Sequence, residues 1–525
     1  MGTDEASPDA GIPRGHDLRP HDALATRARE VPDAVALMVD GGASLTFRRW
    51  DERSNAFARG LTARGLPPGG RLGLLFGNAR LDEYAIAYAG AHKAGQAAVP
   101  LSALLPGAEQ AAIAAAARVS AVVCATGQAA PPLEVPVLAF GDVGRGQDGR
   151  AVHGPVRPHD LAEVIFTSGT TGGRRGVAVS FANIASDWVE RGPGGAPEPG
   201  YFLHAMPLGT NAGQVTLRGA LSWPPTTLVQ PEFSQLRFCE LVESYAVATV
   251  LMVPAMALRL IAAGDYRRFD LSSVRTVIVT AATLPRAGLA RLAAVFPGAV
   301  LHNAYSSTEA WPARTSMRYD PARPRSLGRP LEASQVRVTG LDGRPQPSGA
   351  TGQIWLRPGP GIPSRRLLDD AAPSGTSAAV PGQEGWIPTG DTGHLDKDGY
   401  LYLTGRDSEL INTGGFSVAA QDVEAALHDH PAVAEVAVVG VPHRVLGQAV
   451  AAAVLTRSPA TPAELHSYAA RRLRPHQVPT RIAIVGELPR NVALKVMKDQ
   501  VAAMLTDQAE AGPGPADGQC HRAMS

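Results

Sequence analysis

Cysteine is scarce in this 525-residue chain: Cys124, Cys239 and Cys520 are scattered and odd in number. They offer neither a disulfide framework nor a metal-ligand spacing, and they suit a reducing compartment. Long apolar runs are missing too. No stretch of eighteen apolar residues occurs, and the Ala-rich segment 110–125, broken by Arg118 and Ser120, reads as a buried helix running into a strand. Residues 1–9 are polar and acidic, without the apolar segment of a signal peptide, so the expected location is the cytoplasm. Nor is there a surplus of one charge. With 49 Lys+Arg against 48 Asp+Glu, nothing favours nucleic acid or an anionic membrane as partner. Repeats are absent. Gly144, Gly146 and Gly149 fit Gly-x-Gly-x-x-Gly, but Gly154, Pro155 and Pro158 follow where a dinucleotide site needs a helix to open, so this is read as a surface loop.

What is present is an alternation of short apolar strands with Ala/Leu-rich helices, and a length that implies roughly two to four domains. Strand 71–76, helix 81–94 and strand 97–100 form one series. Strand 248–253, helix 255–263, strand 276–280, helix 284–296 and strand 299–303 form another. Such units predict parallel sheets covered by helices. From about 325 the pattern becomes strands and turns (334–338, 352–357, 394–396, 400–404), with a type I′ hairpin turn expected at Asp398-Gly399. Beyond 405 a small α+β unit is predicted: helix 420–429, strands 433–439 and 449–456, helix 462–473, strand 481–485. The expected domains are a flexible arm (1–18), a large N-terminal domain (19–405, β-rich from about 325), a small C-terminal domain (406–510) and a disordered tail (511–525).

Five clusters could carry chemistry. Residues 166–177 hold four glycines, four hydroxyls and the pair Arg174-Arg175 directly after an apolar run. Glycines let several N–H groups converge on one anion and arginines neutralise it, so this reads as a polyphosphate cradle. It is not a Walker A loop, because no Gly-x-x-x-x-Gly-Lys-Ser/Thr fits. Residues 302–309, from His302 to Glu309, end a predicted strand where α/β sheets place ligands. There Tyr305 can stack on a purine and Glu309 can hold a divalent metal on phosphate oxygens, although a solvated strand-end turn fits as well. Asp391, between Gly390 and Gly393, can accept both hydroxyls of a ribose or merely cap a turn. Residues 404–416, with Arg406, Ser408, Gly414 and Gly415, form a hinge or a charged linker. Lys495, in 488–496, means little alone.

In their order and separations the five clusters resemble the superfamily of adenylate-forming enzymes: acyl-CoA synthetases, nonribosomal peptide adenylation domains and firefly luciferase. The resemblance spans residues 20–505. It implies an α/β fold whose large N-terminal domain has two helix-covered sheets plus a β-barrel, with a small mobile α+β C-terminal lid. It also implies ATP (or a preformed acyl-AMP), Mg²⁺ and coenzyme A: an acid is adenylated, the lid rotates, and a thiol displaces AMP. By position, Thr167, Ser168, Gly169, Thr170, Thr171, Gly172 and Arg175 would wrap the phosphates. Thr308 would touch phosphate and Glu309 would place the metal. Asn303, Ala304 and Ser306 would border the nucleotide, and Tyr305, with the strand end Thr280-Ala281-Ala282, would sandwich adenine. Asp391 and Arg406 would hold the ribose. Lys495 would bridge carboxylate and α-phosphate, stabilising the charge that develops there. Ser408 would be the hinge, and Gly414, Gly415 and Phe416 would line the thiol's path.

Within that superfamily, residues 209–213 lack the aspartate of amino-acid adenylation domains, and no carrier module follows position 510. The loop 414–418 looks like that of the CoA ligases. The expectation is therefore an acyl-CoA ligase, with an acyl-AMP ligase serving a separate carrier protein as the alternative. Gly209, Thr210, Asn211, Gly213, Val253, Met256 and Ala281 would line the acyl pocket, and their small or apolar character suggests a bulky hydrophobic acid. Several positions depart from the family pattern. Arg174 and Arg175 stand for the usual proline and lysine, Thr210 for a pocket histidine, Ser408 for Asp or Lys, Gln353 for Glu, and Leu494 for the glycine before the lysine. If position 494 requires φ > 0, a side chain there costs roughly 1–2 kcal/mol. A further alternative follows: a variant that only thioesterifies an adenylate made by a partner enzyme, in which Gly at 494, or Pro-Lys at 174–175, would restore adenylation.

Overall fold

The computed structural model describes residues 19–168, 174–189, 200–222, 226–282, 284–331, 334–368, 385–406, 409–492 and 494–510. The expected arm and tail, Ser408, and Gly169, Thr170, Thr171 and Gly172 lie outside these residues. The architecture is mixed α/β, with a large N-terminal part and a small C-terminal one.

Two sheets build the large part. In the first, the parallel strands Val35–Val39, Thr226–Val229, Tyr201–His204, Thr249–Met252, Thr276–Val279 and Val300–Ser306 lie side by side. Antiparallel strands extend it from Arg314–Arg318 through Ser326–Pro330 and Leu401–Arg406 to Ile387–Leu395, Gly352–Arg357 and Gln335–Thr339. The second sheet centres on Arg71–Phe76, Ala97–Ser102 and Leu161–Ser168, with Arg174–Ser180 turning back antiparallel on the last. Its buried strands read as continuous apolar runs, as parallel strands covered on both faces do. A shared core containing Leu37 and Leu217 on one side and Leu72 and Ile165 on the other fills the space between. Helix Leu81–Lys93 passes through this core and is buried on nearly every side; its middle is Ala-rich and apolar, and of the buried polar residues at its ends Glu83 accepts from Thr126 N–H and Lys93 donates to Asp51.

Two local expectations change. The turn after Ile387–Leu395 is not type I′: Gly399 alone has positive φ (78°), and its N–H donates to Asp396 O at 3.0 Å. Asp396 Oδ1 accepts from the N–H of Asp398 and of Tyr400, both at 2.9 Å, favouring a three-residue loop with glycine in the left-handed position. The two-residue loop with both φ positive is instead Gly414-Gly415, between paired Thr413 and Phe416. Second, Arg366–Leu367 leaves the β-rich region and pairs with Ala178 and Val177 in the other sheet. The C-terminal part is a five-stranded sheet centred on Val433–His443 and Gly447–Thr456. Helices Ala420–His428 and Pro462–Ala470 belong to one apolar cluster of this unit and helix Lys498–Glu510 to another.

Candidate active site

A cavity of ≈ 1710 Å³ opens where the two sheets and the C-terminal unit meet. That exceeds the roughly 300–1,000 Å³ of a single small-ligand pocket, leaving room for more than one substrate. The carboxyl ends of Thr276–Val279 and Val300–Ser306 point into it, bringing Thr280, Ala281, Ala282, Ala304, Tyr305 and Ser306 to its wall. Asn303 does not join them. Its side chain is buried and Nδ2 donates to Ser326 O at 3.4 Å, while His302 lines the cavity instead.

Asp391 and Arg406 are direct cross-strand partners, which places opposite charges face to face. Arg406 Nε donates to Asp391 Oδ1 at 2.6 Å and Tyr305 Oη donates to Asp391 Oδ2 at 2.7 Å. Burial, then the Asp391 charge, push the Tyr305 phenol well above its ordinary value, so it stays a donor. Burial works against the Arg406 cation, but Asp391 and Glu409 more than offset it.

Thr308 and Glu309 occupy a turn braced from inside: Ser307 Oγ accepts from Ala310 N–H at 3.1 Å and Ser307 O from Trp311 N–H at 3.0 Å. Thr167 and Arg175, also cross-strand partners, reach the cavity from the second sheet. Arg174 lines the cavity as well, with Nη2 donating to Glu109 Oε2 at 2.7 Å. Among the described residues no group of three or more His, Cys, Asp or Glu could hold a metal by itself. A hard ion at Glu309 would need phosphate oxygens for the rest of its shell, which is how Mg²⁺ is ordinarily held.

Lys495 enters from the C-terminal unit. Burial and then Arg406 lower its pKa below the ordinary value, partly opposed by Asp391, Glu309 and Glu409. A tight turn aims it: Leu494 N–H donates to Asn491 O and Asn491 N–H to Lys495 O, both at 2.9 Å, and Lys495 N–H donates to Asn491 Oδ1 at 3.0 Å. Leu494 takes the left-handed position at φ 60°, the conformation its replacement of glycine put in question. The turn is wedged on both sides. Leu494 packs against the core of the first sheet, and Val492 against the cluster of Leu101, Val164 and Phe166 in the second.

Of the residues expected to line an acyl pocket, Gly209, Thr210, Asn211, Val253, Met256 and Ala281 line the cavity. Gly213 does not: a Cβ there would lie 2.2 Å from Pro207 O, so this glycine serves close packing at the start of helix Asn211–Ser222. Thr210 caps that helix, with Oγ1 accepting from Gly213 N–H at 3.1 Å and donating to Pro207 O at 2.7 Å. Gly414, Gly415 and Phe416 stand off the cavity wall; Phe416 is exposed and stacks on His476 at 4.3 Å. Sequence reasoning missed Arg365, which is buried and also lines the cavity.

No helix among the described residues is long and apolar enough to cross a membrane. A model of the AMP-binding enzyme family matches residues 24–364, and one of the AMP-binding enzyme C-terminal domain matches 422–495. The chain is similar to a 2-succinylbenzoate–CoA ligase of Geobacillus kaustophilus, 31% identical over 354 residues covering 66% of this chain and 70% of that protein. It is similar to an indoleacetate–CoA ligase of Aromatoleum aromaticum, again 31% identical over 354 residues, covering 66% and 68%. The fold matches o-succinylbenzoate CoA synthetase from Bacillus subtilis, solved with its acyl-adenylate intermediate, at a TM-score of 0.78 and 23% identity over 91% of this chain and 97% of that one. With one family model spanning more than half its length and the other falling on the unit that delivers Lys495, this chain belongs to the AMP-binding enzymes of the adenylate-forming superfamily.

Proposed function

We propose that this chain is an AMP-forming acyl-CoA ligase acting on a bulky hydrophobic carboxylic acid. One observation carries the reading: Lys495, from the C-terminal unit, shares a cavity with the Tyr305–Asp391–Arg406 set and the Thr308–Glu309 turn. In the first half-reaction a carboxylate oxygen of the acid attacks the α-phosphorus of ATP. The bond to the bridging β-phosphate oxygen breaks, and pyrophosphate leaves. Lys495 would stabilise the charge gathering on the carboxylate and α-phosphate oxygens in a partly dehydrated site. Each Asp391 oxygen already accepts one hydrogen bond and keeps a lone pair, so it can take a ribose hydroxyl alongside. Bound magnesium would neutralise phosphate charge, with Glu309 as its protein ligand. In the second half-reaction the thiolate of coenzyme A attacks the acyl carbon and AMP leaves. Rotation of the C-terminal unit would bring Gly414, Gly415 and Phe416 to the cavity and withdraw Lys495.

Val253, Met256 and Met206 give the acyl side its apolar wall, which supports a hydrophobic acid over an amino acid. A second reading, thioester formation from a preformed acyl-adenylate only, is favoured by Arg174, whose guanidinium is engaged by Glu109. One experiment separates them. A panel of hydrophobic acids with ATP and coenzyme A, and of synthetic acyl-adenylates with coenzyme A, is followed by mass spectrometry and pyrophosphate release. Thioester with stoichiometric pyrophosphate supports the full ligase; thioester from adenylates alone supports the second reading; thioester from neither rejects both.

A further inference from the structure

Arg365 lines the cavity and is 4% exposed. Its Nη1 donates to Asn211 Oδ1 at 2.8 Å and to Thr308 O at 2.9 Å. The first acceptor stands at the N-terminus of helix Asn211–Ser222, on the acyl side, and the second opens the turn that carries Glu309. The backbone of Arg365 belongs to a third wall. Arg366 and Leu367 pair with Ala178 and Val177, and Leu368 N–H donates to Gly176 O at 2.8 Å, fixing the segment to the strand that carries Arg174 and Arg175. Strand alternation then sends Arg366 to the exposed face and Arg365 inward. A single guanidinium thus ties together the acyl side, the Thr308–Glu309 turn and the strand leaving the phosphate cradle.

We propose that Arg365 is a positioning residue for the polyphosphate: by holding the Thr308 carbonyl from a buried, charge-assisted donor, it sets where Thr308 and Glu309 meet the β- and γ-phosphates and their metal. The inference rests on the proposed nucleotide site. A guanidinium suits this role because its planar fork fixes direction, which a lysine ammonium does not. AMP would be held by a different set, Tyr305, Asp391 and Arg406, which are joined to one another through the Asp391 carboxylate. Triphosphate and monophosphate binding should therefore separate.

The test measures dissociation constants of MgATP and of AMP by calorimetry, without any acid, for the full chain and for R365M, R365K and N211A. R365M is expected to weaken MgATP by about tenfold, as loss of a supporting partner behind a metal ligand does, while AMP binding is unchanged. R365K falls between R365M and the parent, and N211A, which removes one acceptor and leaves the cation, moves MgATP in the same direction by less. Equal loss of both nucleotides, or unaltered MgATP binding, overturns the assignment, and so does a parent chain that binds AMP but not MgATP. If R365M fails to fold, R365K and N211A decide by the same criteria. A parent chain that binds neither nucleotide rejects the proposed function itself.

Discussion

Lys495 carries a charge whose retention depends on its surroundings, because burial and the nearby Arg406 favour the neutral amine. The sign follows directly. The proposed chemistry needs the ammonium, so activity falls as pH rises through a lowered pKa. Pyrophosphate release, plotted as kcat/KM, is expected to decline on the alkaline side below the ordinary lysine value of 10.5. K495R should cut the rate by about a hundredfold through displaced geometry, yet carry its residual activity to higher pH. An alkaline limb that stays put in K495R would show that another group sets it. The motif around Lys495 was legible because an unbroken block of sequence forms the turn. The same block shows why legibility ends. Gly399 and Leu494 occupy equivalent left-handed positions in two three-residue turns, and only the first announces itself. Leu494 has to be seen packed against the first-sheet core before its strain of about 1–2 kcal/mol has an offsetting gain.

Among the elements, helix Asn211–Ser222 is fastened to strand Leu161–Ser168 by a fully buried ion pair. Arg218 Nη1 meets Glu163 Oε1 at 2.8 Å with the two side chains 1% and 0% exposed, and Tyr88 Oη donates to the other Glu163 oxygen at 2.8 Å. The strand brings Thr167 and the helix brings Asn211 to the cavity, so the pair holds two of its walls in register. Removing one partner strands a charge in the core. E163A is therefore expected to lower unfolding free energy in urea by about 3–5 kcal/mol; a loss under about 1 kcal/mol, the scale of an exposed pair, would mean the interior relaxes around Arg218. The strands and helices themselves were readable from apolar runs and Ala/Leu-rich stretches, and strands Arg71–Phe76 and Gly352–Arg357 have the expected limits. Arg366–Leu367 was not readable. One arginine and one leucine are too few to show alternation, and the strand forms only because a distant edge, Val177 and Ala178, offers backbone partners. Asn303 failed for a related reason: the motif marks the strand end but not which face each residue takes.

At the level of the whole molecule, the C-terminal unit is docked by Val492 and Leu494, one against each N-terminal sub-core. Half-buried side chains of this size contribute roughly 2 kcal/mol together. The double variant V492A/L494A keeps a side chain at the left-handed position and removes both anchors. It is expected to enlarge the radius of gyration in small-angle scattering and to slow pyrophosphate release, while thioester formation from a synthetic acyl-adenylate is spared. An unaltered scattering profile would show that other contacts hold the unit. Family membership and the α/β architecture were readable because several motifs stood in order, whereas this docking was not: both anchors lie in the block around Lys495, but nothing in that block names the distant cores they pack against.

Because both anchors are apolar, their hold has the thermal signature of hydrocarbon burial: a large heat-capacity change and an attraction that fades on cooling. Chilling should therefore release the cap before it disturbs either sheet, so that in the cold the first half-reaction becomes the slow one.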